Sequence, residues 1–249
     1  MSMRSEWNKR AEKNAYHYVS TFREEWDDES FYRWGEVQTQ VVIDRFLKDQ
    51  AFDPSDKTML EIGCGAGRMT RTLASRFKLV YAYDVSDRYI QIAREKNSYL
   101  KNVVFYVNDG LSFPEIDDES VDFVFSGWTI HHMPTKDIVV KNIKEIARTL
   151  KKGGLYKIDP RITTSSGFKK FVTSKLVKPI VLPFLVKDKL KSTPTFTGVA
   201  FTEKELVAIL SRSGLTANTL VEEDGSERFY GKRVMKKWFY GKKSHDLWP

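Results

Sequence analysis

An α/β protein, with helices wound on both faces of a mostly parallel sheet, is the fold this sequence predicts, and three observations carry the prediction. Short β-branched or aromatic runs recur between residues 58 and 158, helical stretches separate them, and the first run passes directly into a glycine loop. Strands that alternate with helices pair in parallel, because a parallel partner is reached only through a long crossover, usually a helix.

The elements follow in order. From Arg4 to Phe22, Trp7, Ala11, Ala15, Tyr18 and Phe22 recur at spacings of three and four, the signature of one apolar helix face. A second helix is expected from Phe31 to Gln50. Strands are then expected at Thr58–Ile62, Leu79–Tyr83, Val103–Val107, Val121–Phe125 and Leu155–Ile158, with helices at Arg68–Arg76, Ser86–Asn97 and Thr135–Leu150 between them. Residues 161–200 have no clean period and read as an insertion lying over the sheet. Thr202 and Glu205 then form a capping box that opens a helix stopped at Gly214, and strands near 216–222 and 233–240 complete the sheet. The chain reads as a single domain, 1–249, with a helical cap at 1–57, a core at 58–160, a lid insertion at 161–200 and a closing helix and strands at 201–249.

Composition removes several function classes. One cysteine, Cys64, is too few for a disulfide framework, a cysteine-based zinc cluster or two-thiol chemistry, and it suits the reducing cytoplasm. The N-terminus lacks the apolar run of a secretory signal, and the longest greasy stretch, Pro179–Val186, is far too short to span a bilayer. Charge is uneven: residues 1–150 carry 21 Lys+Arg against 24 Asp+Glu, and residues 151–249 carry 20 against 9, which together give the net +8. A basic carboxyl-terminal third suits nucleic acid or an anionic surface, and equally a solvated enzyme surface.

The sharpest motif is Leu60-Glu-Ile-Gly-Cys-Gly-Ala-Gly-Arg68, a strand opening into a helix through a glycine loop that lets a ligand lie against the main chain. A dinucleotide fingerprint needs G-x-G-x-x-G, but its third glycine would fall at Arg68; a phosphate-binding P-loop needs Gly-Lys-Ser/Thr, which is missing. The spacing G-x-G-x-G, with an acid two residues before the first glycine, resembles the first motif of the class I S-adenosylmethionine-dependent methyltransferases. Further elements appear in the family's order. Asp84, 17 residues after Gly67, ends the next strand; Asn108-Asp-Gly110 follows the third; Asp122 to Met133 resembles the fourth strand and its loop; Leu150 to Leu155 resembles the turn into the fifth.

The resemblance implies a Rossmann-like sheet of seven strands with the last antiparallel, and S-adenosyl-L-methionine as cofactor. It implies Asp84 as acceptor for both ribose hydroxyls, Asp109 facing the adenine amine with Gly110 leaving room, and a binding set that includes Glu61, Gly63, Gly65, Gly67, Val85 and Ser126. His132 is carried over as a cofactor-side residue. Trp128 and Tyr16, with Tyr18, are candidates to face a sulfonium, which aromatic rings favour. Asp84 and Asp109 also suit ordinary turns, and the tyrosines suit a helix core.

Methyl transfer from a sulfonium is a direct displacement, for which positioning and exclusion of water supply much of the rate. His131 is the candidate general base. Ser126-Gly-Trp-Thr129 lacks the Asn/Asp-Pro-Pro-aromatic run that relatives use on base amines, Cys64 is committed to the loop, and no metal is expected. What remains is an O, N or C nucleophile on a small, anionic or amphipathic acceptor, with Lys169, Lys170, Lys175 and Lys178 of the insertion as candidate anion contacts. Three alternatives stay open: an RNA methyltransferase using residues 228–243, a non-catalytic cofactor-binding domain, and a nicotinamide oxidoreductase.

Overall fold

A computed structural model describes residues 2–163, 198–223 and 235–244. The four lysines proposed to contact the acceptor, most of the expected insertion and much of the basic stretch 228–243 lie outside the described residues. Among the described residues, no helix is long and apolar enough to cross a membrane, and no cluster of three or more His, Cys, Asp or Glu side chains is placed to hold a metal ion.

The chain opens with α1 (Met3–Val19), capped by Ser2, whose hydroxyl accepts from the Ser5 N–H. The predicted continuous face breaks at Asn14, which leaves helical geometry at φ −167° and ψ 91°. Its side chain supplies the reason: Oδ1 accepts from the His17 N–H and Nδ2 donates to the Glu24 carbonyl, so the amide competes with the helical ladder. The second expected helix is three pieces, α2 (Asp28–Gln38), a π-helical stretch Thr39–Asp44 and α3 (Arg45–Asp49). Asp27 caps α2 by accepting from the Ser30 N–H at 2.7 Å. Phe31 and Trp34 bury completely, so tertiary packing, rather than propensity, fixes this helix.

Seven strands form the main sheet: β1 (Thr58–Ile62), β2 (Leu79–Asp84), β3 (Val103–Val107), β4 (Val121–Ser126), β5 (Leu150–Ile158), and, after the minor pair β6 (Arg161–Ile162) and β7 (Ala200–Phe201), β8 (Asn218–Glu223) and β9 (Met235–Lys242). Their order is β3-β2-β1-β4-β5-β9-β8. Strands β1 to β5 pair in parallel, and β9 runs against both β5 and β8, so the last strand is the reversed one, as the resemblance implied. Helices α4 (Thr70–Leu73), α5 (Asp87–Lys96), α6 (Lys136–Thr149) and α7 (Glu203–Arg212) are the remaining α-helices among the described residues, and the Thr202–Glu205 capping box is present. Two expectations change here. Helix α4 is far shorter than Arg68–Arg76, and β5 begins at Leu150 with an irregularity opposite Val121 to Phe123, so residues 150–154 belong to the strand.

Alternation along the strands sorts the core into two layers. Leu60, Ile62, Val124, Tyr156 and Ile158 pack on one face, and Met59, Val80, Ala82, Phe123, Phe125 and Leu155 on the other. Lys157 is fully buried in the second layer; its ammonium donates to the Val42 carbonyl at 2.7 Å and lies 4.7 Å and 4.8 Å from the ring centroids of Phe46 and Trp238. A third cluster, Ala11, Phe31, Tyr32, Ala66 and Tyr89, fastens the N-terminal helices onto the glycine loop.

Candidate active site

Chain order reverses direction across the sheet between β1 and β4, and a crevice opens at the carboxyl ends of strands at such a switch point. A cavity of about 300 Å³ lies there. Its floor is the loop after β1. The N–H groups of Gly63 and Cys64 both donate to the Tyr83 carbonyl, at 2.7 Å and 2.9 Å, which ties the loop to the end of β2. Gly63 sits at φ 80° and a Cβ there would overlap the Thr129 side chain; Gly65 sits at φ 54° with Val19 of α1 directly above it. These positions need glycine for the backbone angle and for space.

Two carboxylates flank the loop. Asp84, closing β2, accepts from the Gly65 N–H and the Ser86 N–H, each at 2.9 Å. Burial pushes its carboxyl up to about 6, against the pull of those backbone donors. Glu61, inside β1, accepts from the Thr70 hydroxyl at 2.6 Å, and burial pushes it up to about 7. A folded-state value above the unfolded one means that the native chain binds the extra proton, so stability falls as pH rises from about 4.5 to about 7. Glu61→Gln is therefore expected to gain on the wild type by about 3 kcal/mol or less between pH 4.5 and pH 8. Urea titrations of the ligand-free proteins at the two pH values measure this, and a constant difference would show that Glu61 is not a buried ionising group.

On the opposite wall, the loop after β4 turns sharply, with Trp128 at φ 59°. One buried acid holds this turn. Asp159, 1% exposed just beyond β5, accepts at Oδ2 from the Trp128 N–H at 2.9 Å and lies 2.7 Å from His131 Nδ1. His131 lines the cavity, and its ring lies 3.9 Å from that of His132, whose edge meets Trp7 of α1 at 5.7 Å. An acid at Nδ1 favours the neutral tautomer that keeps its proton on that nitrogen and leaves Nε2 as the acceptor. Helix α1 forms the roof: the Arg4 guanidinium donates to the carbonyls of Val85 and Asn108, and Met3 reaches Gly110.

Of the residues expected from sequence, Glu61, Gly63, Gly65, Asp84, Val85, Gly110, Trp128, His131 and His132 line this one cavity. Four do not. Asp109 is exposed and caps its own turn, accepting from the N–H groups of Leu111 and Ser112, so Asn108 and Gly110 make the wall there. Tyr16 stacks on Phe31 at 4.0 Å and donates to Asp28 at 2.6 Å. Gly67 faces Asn97 and Ala93, giving room for α5, and Ser126 donates to the Ile62 carbonyl, bracing β4 on β1. Sequence reasoning missed Arg68, Gln38, Trp34 and Trp7 as wall residues; each arrives from a cap helix or from just beyond the motif, and only the tertiary packing of the cap reveals them.

Within the basic stretch 228–243, Trp238 and Phe239 are fully buried in the sheet, and Lys242 is exposed.

Comparison with known proteins agrees with this geometry. The sequence pattern of a methyltransferase domain matches residues 60–158. A wheat protein named phosphoethanolamine N-methyltransferase 1 is 42% identical over 101 residues, 39% of this chain and 20% of that protein. A Staphylococcus aureus demethylmenaquinone methyltransferase is 30% identical over 121 residues, 47% of this chain and 48% of that one. The chain therefore spans about a fifth of the first relative and about half of the second. Among solved structures, magnesium protoporphyrin IX methyltransferase from Synechocystis, crystallised with bound SAH, superposes with a TM-score of 0.64 at 18% identity over 97% of this chain and 98% of that one. Haemonchus contortus phosphoethanolamine N-methyltransferase 1 gives a TM-score of 0.64 at 16% identity over 98% of this chain and 49% of that one. The glycine cradle, the carboxylate closing β2 and the reversed last strand agree with these findings: residues 60–158 match the methyltransferase-domain family in sequence pattern, and the fold is that of the solved methyltransferases.

Proposed function

We propose that this chain methylates an O, N or C nucleophile of a small, anionic or amphipathic molecule in the cytoplasm, with His131 as general base and Asp159 as the residue that positions it. The observation that carries the reading is the His131–Asp159 pair, 2.7 Å apart, in which His131 lines the cavity that holds the glycine cradle and Asp84 while Asp159 lies buried behind it. When bound, S-adenosylmethionine supplies an electrophilic methyl group on a sulfonium. The protein's own part is to seat that group on Gly63 and Gly65, take the ribose on Asp84, and exclude water beneath α1. His131 Nε2 then receives the proton that a hydroxyl sheds as it attacks, or that an ammonium sheds to become the attacking amine, while the buried Asp159 carboxylate balances the imidazolium that forms. Trp128 and Tyr18 line the same space, and their rings suit a cationic centre.

The acceptor class rests on the absences in the sequence and on the relatives, whose names cover a phosphorylated amine and a quinone-type lipid. Trp238 and Phe239 are buried and so are not offered to an RNA base for stacking, which removes two of the rings on which the RNA alternative drew.

Calorimetric titration with S-adenosylhomocysteine, with an oxidised nicotinamide dinucleotide as control, tests the cofactor site. Transfer of labelled methyl to a panel of phosphorylated amines, quinols and bulk RNA tests the acceptor. One-site binding of the first ligand only, with label on a small acceptor, supports the proposal. Tight binding with no transfer to any member would favour a non-catalytic role.

A further inference from the structure

Resting on the cofactor reading above, we infer that Arg68 receives the α-carboxylate of the cofactor, and that Glu61 and Arg68 together form a receptor for its zwitterionic amino-acid end.

The charges on the cavity wall are few. Among the described residues that line it, the carboxylates are Glu61 and Asp84, and the one side chain with a permanent positive charge is Arg68. Asp84 belongs to the β2 side, bonded to Gly65 and Ser86 and adjoining Val85 and Asn108. Arg68 belongs to the other side. It directly follows Gly67, it is 5% exposed, and its guanidinium donates through Nη1 to the Gln38 carboxamide of α2. Its Cζ lies 6.0 Å from the centroid of the Trp128 ring and 5.9 Å from that of Phe31. Glu61 lines the same cavity.

This arrangement orders a ligand end to end. The adenosine half carries hydroxyls that need a carboxylate, and Asp84 stands on the β2 side. The amino-acid half carries an ammonium and a carboxylate one carbon apart, which calls for an acid and a base side by side, and Glu61 and Arg68 stand on the β1 to β4 side. A guanidinium presents five N–H donors in a rigid fork that matches a carboxylate bidentately, and its pairing strengthens where water is excluded. The surrounding rings and the 1% exposed Gln38 hold the fork in one pose.

The competing role is structural: Arg68 as a staple between α2 and the loop. Three ligands separate the two. S-adenosylhomocysteine carries the carboxylate; S-(3-aminopropyl)-5′-thioadenosine, its decarboxylated analogue, lacks only that group; 5′-methylthioadenosine lacks the whole amino-acid end. Titrated calorimetrically without acceptor, the wild type is expected to bind the first about 10- to 100-fold more tightly than the second, the scale of a charge-assisted pair. Arg68→Met is expected to remove that preference, weakening the first ligand by the same factor and leaving the other two within about twofold. Arg68→Lys, which keeps a cation without the fork, is expected to recover part of it. An equal loss for all three ligands would assign Arg68 to structure, and unchanged binding of S-adenosylhomocysteine would place the carboxylate elsewhere; either result overturns the proposal. Wild-type protein that binds none of the three overturns the cofactor reading itself.

Discussion

Asp84→Ala is expected to weaken S-adenosylhomocysteine binding by about 1.5 to 3 kcal/mol, roughly 10- to 150-fold, measured by calorimetry at pH 8. The carboxylate already accepts two backbone N–H bonds, from Gly65 and Ser86, so its orientation is set before any ligand arrives. A carboxylate has acceptor capacity for about four bonds, and two neighbouring ribose hydroxyls are suitable further donors. Alanine removes the acceptor and also releases the Gly65 N–H, so the loop keeps its bonds to the Tyr83 carbonyl and loses one of its ties to β2. Because burial lifts this carboxyl to about 6, its acceptor form is depleted in mild acid. Wild-type affinity should fall by about tenfold between pH 8 and pH 5 from this group alone, with Glu61 adding a loss of the same sign, and the Asp84 share should vanish in the variant. An unchanged dissociation constant for Asp84→Ala would remove the ribose assignment. Asp84→Asn separates the two parts of the effect, since it keeps one acceptor oxygen and much of the loop geometry.

What the sequence showed of this site was what lies in short, continuous stretches. Gly63, Gly65 and Asp84 were legible because a strand end, a turn and an acid follow one another in the chain, and the positive backbone angles demand glycine. The parallel core was legible for the same reason, its two buried layers being written as alternation along each strand. Asp109 shows where local reading fails. An acid two or three residues before free N–H groups looks the same in sequence whether it caps its own turn or reaches a ligand, and here it caps the turn. Tyr16 fails differently: the apolar period put it on the correct helix, and the break at Asn14 and the stacking on Phe31 then turned it into the cap. Lys157 has no local signature at all, since its charge is met by the Val42 carbonyl and two rings from distant segments. Arg68 and Gln38 meet across 30 residues, and His131 and Asp159 across 28. Such pairs are set by how α2 and β5 dock, and docking is a property of whole surfaces.

The His131–Asp159 pair carries the other large expectation. Asp159→Asn preserves volume and leaves an oxygen to accept from Trp128 and His131, but it removes the negative charge that offsets a forming imidazolium. The rate of methyl transfer in a single turnover is expected to drop by about 100-fold, within the range that general bases contribute, while binding of S-adenosylhomocysteine stays within about twofold. His131→Ala should cost at least as much. Asp159 acts through His131, so Asp159→Asn added to His131→Ala should cost little further, in contrast to two independent sites. The acceptor provides a second discriminating readout. A base is needed only where the nucleophile must shed a proton, so both penalties should shrink as acceptors of increasing acidity are compared and should vanish for one that is ionised beforehand. If the two penalties instead multiply, and are equal for all acceptors, then Asp159 serves only to hold the Trp128 turn, and transfer in this cavity proceeds by positioning alone.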